Sequence, residues 1–299
     1  MAGTNAALLG GRAAIEVGGP EARAFLQGLV TSDVETLGPG RARNAALLTP
    51  QGKILFEFFV LAADSDRFLL DCPAASAAEL AKRLTFYRLR AKVNITARPD
   101  LVVVALSDGA LRDGALRDGD TAPHPSAFAD PRLAALGWRA ILLKPEAEAV
   151  LKAHGAASEA DYHAHRIGLG VAELAQDYAS GEVFPHEADL DQLGGVDFAK
   201  GCYVGQEVVS RMQHRGTARS RFVPVAIEGN APETGTTVEA GGKVVGTMGS
   251  SSGSRGLALL RLDRIGAAMA TGTAITAGGA TLAPEKPGWA TFEWPAGAP

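Results

Sequence analysis

One short segment of the sequence concentrates the residue types that could do chemistry. Residues 200–207 read Lys-Gly-Cys-Tyr-Val-Gly-Gln-Glu, and the run QEVVSRMQH that overlaps their end has the pattern of a helix. A thiol just ahead of a helix N-terminus, two residues from Lys200, stands where the thiolate form is favoured. Cys202 is therefore a candidate nucleophile, redox thiol or transient metal ligand. A small buried cysteine in a tight strand–loop–helix corner is the structural alternative, and the residues alone leave both open.

The neighbours of this thiol suit a sharply turning backbone. Gly201 removes side-chain bulk beside Cys202, and Gly205 gives a second permissive position before the predicted helix. Glu207, near the start of that helix, complements the helix dipole and can pair with Arg211 four residues later.

The sequence lacks the motifs typical of metal and nucleotide sites. The histidines form no HExxH pair, and His163 and His165, two residues apart, would diverge by about 200° on a helix. Two cysteines cannot supply the four thiolates of an iron–sulfur cluster. The run from Gly168 to Glu173 lacks the third glycine of a dinucleotide fingerprint. We therefore predict no resident metal and no nucleotide site, and any iron–sulfur chemistry would need another protein.

The composition is that of an ordinary globular protein. The chain has 299 residues, 46% hydrophobic and 21% charged, which suggests about two domains. Its net charge of −4 gives no basic field for nucleic acid or an anionic membrane. Two distant cysteines favour reduced thiols, and neither a secretory signal nor a membrane-spanning apolar run is evident. The sequence predicts a soluble, cytoplasmic protein.

Hydrophobic patterning predicts an α+β organisation. Residues 13–19 form a short strand before a helix that Pro20 opens, and residues 44–72 contain three strands. A helix over residues 74–90 and two further strands complete a ferredoxin-like pattern. The later elements are a strand at 138–143, helices at 145–154 and 158–169, and a small β-barrel of about 80 residues beyond Arg221 with a hairpin turn at Gly241-Gly242. The duplicated Gly-Ala-Leu-Arg-Asp at 109–113 and 114–118 is predicted to be a surface-loop insertion.

The segment KGCYVGQE resembles the K-G-C-[FY]-x-G-Q-E signature of the YgfZ-type folate-binding proteins. That family is related to the T-protein (aminomethyltransferase) of the glycine cleavage system and to mitochondrial iron–sulfur assembly factors. Segments similar to the family occur in order along most of the chain: FLQGLVTSDV at 25–34, LLTPQGKIL at 47–55, YRLRAKV at 87–93, DPRLAALGWR at 130–139, RIGLGVAE at 166–173 and FPHEADLDQLGGVDFAKGCYVGQEV at 184–208.

The resemblance implies a three-domain ring of T-protein type around a central channel that holds folate. Residues 1–45 and 128–220 would form a discontinuous folate-binding domain. Residues 46–127 would form a ferredoxin-like inserted domain, and residues 221–299 a C-terminal β-barrel domain.

The resemblance also implies a function. The chain would bind tetrahydrofolate and support the assembly or repair of [4Fe–4S] clusters, with assembly or client proteins as transient partners. Membranes and nucleic acids are not expected partners. Cys202 would be the reactive thiol and Lys200 would stabilise its thiolate. Tyr162 stands where relatives have an aromatic that stacks on the pterin, and Arg166 is near enough to meet the folate glutamate. The remaining channel-lining candidates are Tyr203, Gln206 and Glu207.

Two departures weigh against the T-protein reaction. T-proteins carry an Asp-Asp pair where this chain has Phe56-Glu57, and a pterin-binding Glu where this chain has Gly168. Without that carboxylate the pterin loses a charge-assisted contact. A non-enzymatic accessory role is favoured, with a tetrahydrofolate-dependent one-carbon (aminomethyl) transferase using Glu57, and a folate sensor or scaffold, as the alternatives.

Overall fold

The fold is taken from a computed structural model that describes residues 4–108, 122–216 and 218–294. The chain divides into two compact units. The first comprises Met1–Tyr162 and Leu193–Gln206, and the second comprises His163–Gln192 and Glu207–Pro299. Each unit is described by itself.

The helices and strands follow one another along the chain in a mixed order. They are β1 (Thr4–Leu8), β2 (Arg12–Gly18), α1 (Ala22–Gln27), β3 (Ala42–Leu48), β4 (Ile54–Ala62), β5 (Arg67–Pro73), α2 (Ala77–Arg88), β6 (Asn94–Ala97), β7 (Leu101–Asp108), β8 (Ala127–Ala129), β9 (Trp138–Leu143), α3 (Lys144–Ala153), β10 (Gly155–Ala156), α4 (Glu159–Leu169), α5 (Gln206–Arg215), β11 (Ser220–Glu228), β12 (Thr237–Ala240), β13 (Lys243–Ser252), β14 (Arg255–Arg261), α6 (Leu262–Ala270), β15 (Ile275–Ala277) and β16 (Ala280–Pro284).

The first unit contains two five-stranded sheets. One has the strand order β3-β4-β5-β2-β6 and the other β10-β1-β7-β9-β8. Alternate residues of the first sheet, such as Phe58 and Leu70, form a core with Leu26 of α1 and Leu84 of α2. The opposite residues of β4, with Phe59 among them, form a core with β1, β7 and β9 of the second sheet. The first sheet is therefore buried on both faces, which explains its many apolar residues.

The turn between β3 and β4 becomes part of the site described below. The Thr49 N–H donates to the Lys53 carbonyl at 2.8 Å, and Gly52 within the turn has φ +80°. Only glycine adopts that φ without strain, so the Pro50-Gln51-Gly52 turn expected from the sequence is confirmed.

The second unit is built on a closed barrel with the strand order β11-β14-β13-β12-β15-β16. Inward residues of its strands, with Val225 and Leu260 among them, make a continuous core. Gly241 and Gly242 both have positive φ and join Ala240 to Lys243. The predicted barrel and its hairpin turn are confirmed. The helix α6 was not predicted, because its small residues stand among short β runs.

Most predicted elements of the first unit are also confirmed. The predicted helix over residues 74–90 occurs as α2, while the helix after Pro20 is shorter than expected. The duplicated segment at 109–118 lies outside the described residues, and the three-part domain boundaries stay a prediction. Among the described residues, no helix is both long and apolar enough to cross a membrane.

Candidate functional site

The segment 193–206 is held in the first unit by hydrogen bonds with the loop that follows α1. The Thr31 hydroxyl donates to the Gly195 carbonyl at 2.5 Å, and the Asp197 N–H donates to the Thr31 carbonyl at 2.9 Å. The Ser32 hydroxyl donates to the Asn44 carbonyl, and its Oγ lies 3.2 Å from the Gly194 carbonyl oxygen. These bonds fix the start of the segment, so the residues that follow begin from a defined position.

Lys200 anchors the middle of the segment. Its Nζ donates to the carbonyl oxygens of Gln27 at 2.9 Å, Val30 at 2.6 Å and Ser32 at 2.8 Å. The first two carbonyls lie at and just beyond the end of α1, where carbonyls lack helical partners and a cation suits the helix dipole. The ammonium also lies 5.4 Å from the centroid of the Tyr203 ring.

This arrangement gives Lys200 a structural role. Burial lowers the pKa of Lys200 to about 8, while Asp33 and Asp197 act in the opposite direction. An ammonium has three hydrogens, and the three carbonyls use all of them. Lys200 therefore holds the backbone around Cys202, and its predicted stabilisation of the thiolate stays a prediction.

Cys202 itself is exposed. A Cβ at Gly201 would meet nothing within 4 Å, so the surface beside the thiol is open. Gly205 behaves differently: its φ is +79°, and a Cβ there would lie 2.6 Å from the Thr49 carbonyl oxygen. Gly205 therefore packs directly on the β3–β4 turn. The thiol is presented between Lys200 on one side and Gly205 on the other, both fixed to the first unit.

Tyr203 lies beneath this corner. Its side chain is buried, and its hydroxyl has no hydrogen-bond partner among the described residues. Burial, followed by the charge of Asp197, raises the pKa of Tyr203 to about 12. The hydroxyl therefore keeps its proton and can donate a hydrogen bond.

Gln206 and Glu207 begin α5, as the sequence predicted. Glu207 is exposed and accepts a hydrogen bond from Arg211 Nη2 at 2.7 Å, one helical turn later. Such a solvated pair contributes little stability.

Tyr162 is enclosed between the two sheets of the first unit. Its hydroxyl accepts hydrogen bonds from Arg132 Nη2 at 2.7 Å and from Arg139. The Arg139 guanidinium also lies 5.1 Å from the centroid of the Tyr162 ring. The structure thus uses both the ring and the hydroxyl internally and does not bring Tyr162 to the thiol corner.

A buried charge network surrounds that tyrosine, and sequence reasoning missed it. Arg139 pairs with Asp71 at 2.8 Å and with Asp130 at 3.2 Å. Burial acts to raise the pKa of Asp130, but Arg132 and Arg139 outweigh it and hold that pKa below its usual value. The partners are far apart in sequence or stand in a loop, so no spacing pattern could have revealed them.

Arg166 has an equally internal position, in the second unit. Its guanidinium is 0% exposed and donates to Asp177 at 2.7 Å, to the Val171 carbonyl at 2.9 Å and to Ser250 Oγ at 3.0 Å. Its Nε donates to His163 Nδ1 at 3.0 Å. The predicted contact with a folate glutamate would have to displace these partners.

Asn44 is a polar residue that no sequence pattern marks as part of a site. It is 1% exposed, and neither Oδ1 nor Nδ2 has a hydrogen-bond partner among the described residues. Asn44 pairs with Phe59, and Ala46 with Glu57, so Asn44 and the buried Glu57 lie on one face of the first sheet. A buried amide that lacks partners in the protein is a marker for a ligand or an ordered water.

Two further features lie apart from these residues. A cavity of about 540 Å³ opens in the first unit between residues 36–43 and residues 127–131, and no predicted site residue lines it. Across the described ranges, no group of three His, Cys, Asp or Glu side chains is arranged to hold a metal ion.

Comparison with known proteins shows the family. The family model for the "GCVT N-terminal domain" matches residues 11–107, and the model for the "CAF17, C-terminal beta-barrel domain" matches residues 219–292. The human mitochondrial iron–sulfur cluster assembly factor IBA57 is 33% identical over 276 residues, covering 86% of this chain and 77% of the human protein. The mouse protein is 33% identical over 283 residues with the same coverage. The chain belongs to the IBA57 family.

A solved structure supports the fold of this IBA57-family chain. The glycine cleavage aminomethyltransferase T of Bartonella henselae superposes with a TM-score of 0.73, covering 98% of this chain and 88% of that one, at 17% identity. The T-protein-type fold and the relationship to iron–sulfur assembly factors, both predicted from the sequence, are confirmed. The predicted cytoplasmic localisation is wrong, because these relatives are named as mitochondrial proteins.

Proposed function

We propose that this protein assists the assembly or repair of iron–sulfur clusters and that Cys202 contacts the cluster. The observation that carries the proposal is an exposed thiol on a corner that Lys200 and Gly205 fix to the first unit. The naming of the human and mouse relatives as iron–sulfur cluster assembly factors supports the same pathway.

A single thiol defines what the site can do. Thiolate is the usual protein ligand for iron in such clusters, and a [4Fe–4S] cluster takes four of them. Cys202 can supply one, so a transient partner protein must hold the rest of the cluster. Lys200 keeps the segment in one conformation and brings a positive charge towards an anionic cluster. Tyr203 can donate a hydrogen bond once a ligand approaches.

Tetrahydrofolate fits this chain only in part. Tyr162 and Arg166 do not fit as ligand contacts, because internal partners occupy them. Asn44 does fit, because an amide offers one donor and one acceptor to the amide-like edge of a pterin. We therefore include folate binding in the proposal with Asn44 as its contact. Folate supplies one-carbon chemistry where it is bound, and the proposed action of Cys202 does not depend on it.

The test uses cells that lack the endogenous gene. Restoring Cys202→Ser is expected to leave the activity of [4Fe–4S] enzymes at the level of the deletion. Cys72→Ala is the matched control, because Cys72 is the other free cysteine and is buried in the core. Its expected activity is that of the wild type. Wild-type enzyme activity with Cys202→Ser would remove the thiol from the mechanism.

The folate arm is a titration of the purified protein with tetrahydrofolate. Asn44→Leu is expected to weaken binding by about tenfold if the amide holds the ligand. The alternative function, one-carbon transfer with the buried Glu57 as acid, predicts turnover of methylene-tetrahydrofolate by the pure protein. Turnover that Glu57→Gln abolishes would replace the accessory function with an enzyme.

A further inference from the structure

The C-terminal end of α2 carries an exposed apolar feature that no part of the proposed thiol chemistry uses. The inner face of α2 packs on the core through Leu80, Leu84 and Tyr87. Phe86 points away from that face and is 71% exposed, and Leu89 just beyond the helix is 85% exposed. Two large apolar side chains, three residues apart in sequence and both mostly exposed, are a feature typical of an interaction surface.

The backbone at Leu89 adds a second observation. Leu89 has φ +47° and ψ −106°, a region that suits glycine and strains a residue with a Cβ. Where the chain takes a positive φ at the end of a helix, the residue is usually glycine. The protein therefore accepts both backbone strain and exposure at Leu89, and neither helps the fold. Strain of this kind is typical of positions that hold a side chain in place for an interaction.

Positive charge surrounds the two apolar residues. The run from Lys82 to Lys92 contains five cations, and no acidic residue occurs between Glu79 and Asp100. Two carboxylates approach from the flanks: Glu79 lies 3.9 Å from Lys82, and Glu21 accepts the backbone N–H of Lys92 at 2.9 Å. This local charge opposes the net charge of −4 of the whole chain.

We propose that this surface, the α2 tip, docks an acidic protein surface that offers an apolar pocket to Phe86 and Leu89. The α2 tip consists of those two residues and the cations Arg83, Arg88, Arg90 and Lys92. Aromatic and arginine side chains are the commonest anchors of protein interfaces, and complementary charge speeds and orients docking. As an extension of the proposed function, the partner is the protein that brings or receives the cluster.

The fixed geometry favours a protein over a lipid surface. A bilayer accepts apolar side chains in many conformations, so it gives no reason to hold Leu89 in a strained one. A shaped pocket does, because a preorganised anchor loses less entropy on binding.

The test begins with a displayed library of random peptides. Full-length protein is the bait, and the double variant Phe86→Ser/Leu89→Gly is used for counter-selection. Peptides that combine acidic and apolar residues are expected, and a labelled synthetic copy should bind the double variant at least about tenfold more weakly in fluorescence anisotropy. Leu143→Ser, which removes an exposed apolar residue on the other sheet, should bind like the wild type.

Other outcomes overturn the proposal. A selection that yields no peptide distinguishing the two baits would do so. The same holds if vesicles of phosphatidylglycerol and phosphatidylcholine, or a DNA duplex, bind the wild type and not the double variant. Vesicle binding would place a lipid at the α2 tip instead, and DNA binding would place a nucleic acid there.

Measurements in cells separate this proposal from the thiol function. The double variant is expected to lower [4Fe–4S] enzyme activity while its Cys202 still reacts with iodoacetamide at the wild-type rate. If Cys202→Ser abolishes enzyme activity and the double variant does not lower it, docking at the α2 tip fails and the thiol function stands. If the double variant lowers enzyme activity and Cys202→Ser does not, docking at the α2 tip stands and the thiol function fails.

Discussion

Replacing Lys200 with methionine tests whether the thiol corner is held by the ammonium. Methionine keeps the apolar length of the side chain and removes the donors to the carbonyls of Gln27, Val30 and Ser32. A hydrogen bond to a charged group contributes about 1.5–3 kcal/mol. The position is only half-buried and methionine has no charge to desolvate, so we reduce this to roughly 1 kcal/mol each. The expected loss is about 2–3 kcal/mol, or roughly 5–10 °C in the melting temperature of the first unit.

The assay is urea unfolding at neutral pH, followed together with the alkylation rate of Cys202. Lys200→Arg is expected to restore only part of the stability, because a planar guanidinium cannot direct three donors as an ammonium does. Lys152→Met, at an exposed lysine of α3, is the control and should change stability by less than about 0.5 kcal/mol. Equal stability of the variants at Lys200 and Lys152 would refute the anchoring role.

The stability difference between the wild type and Lys200→Met should depend on pH with a defined sign. The folded pKa of Lys200, about 8, lies below its ordinary value of 10.5. Between these values the unfolded chain binds more protons than the folded one, so this lysine's contribution to the free energy of unfolding rises with pH. The stability advantage of the wild type over Lys200→Met should therefore widen from pH 8 to roughly pH 10. An advantage that narrows over this range would show that the carbonyls outweigh burial.

Three further predictions concern single positions. Gly205→Ala should lower the free energy of unfolding by at least about 2 kcal/mol, because Gly205 has a positive φ and lies close to the Thr49 carbonyl. Gly201→Ala should leave thermal unfolding nearly unchanged. Equal losses of stability in the two variants would contradict the packing of Gly205 on the turn. Arg166→Gln should cost about 3–5 kcal/mol by leaving Asp177 buried without its partner, and a cost below about 1 kcal/mol would show that the ion pair is not structural. Burial raises the pKa of Cys72 to about 12, so mass spectrometry should find it unalkylated at roughly pH 9 until the protein unfolds.

The sequence predicts an element well where its signal is local. The barrel follows from alternating apolar residues and from Gly241-Gly242, both of which act within a few residues. The strand β1 was missed because TNAAL has weak β propensity and its main partner, β7, lies about a hundred residues away. The barrel helix α6 was missed because LDRIGAAMA interrupts a run of strands, and its small apolar residues give no clear period.

In the candidate site, too, the sequence predicts local features and not long-range contacts. The residue types around Cys202 and the turn at Gly205 could be selected from spacing, since the chemistry of a thiol and the conformation of a glycine are local properties. The partners of Lys200 could not, because they are backbone carbonyls 168 to 173 residues earlier in the chain. The unpartnered amide of Asn44 could not be predicted either, because the sequence of a strand does not show which groups surround an asparagine in the folded protein.

The T-protein fold of this chain does not by itself define its chemistry. A TM-score of 0.73 at 17% identity establishes the arrangement of the chain and leaves its chemistry open. At two positions where the family resemblance suggested folate contacts, Tyr162 bonds to two arginines and Arg166 to a buried aspartate. Both side chains stabilise the interior and would cost free energy to release. Cys202, by contrast, is exposed, and the Lys200 ammonium holds the backbone beside it in place.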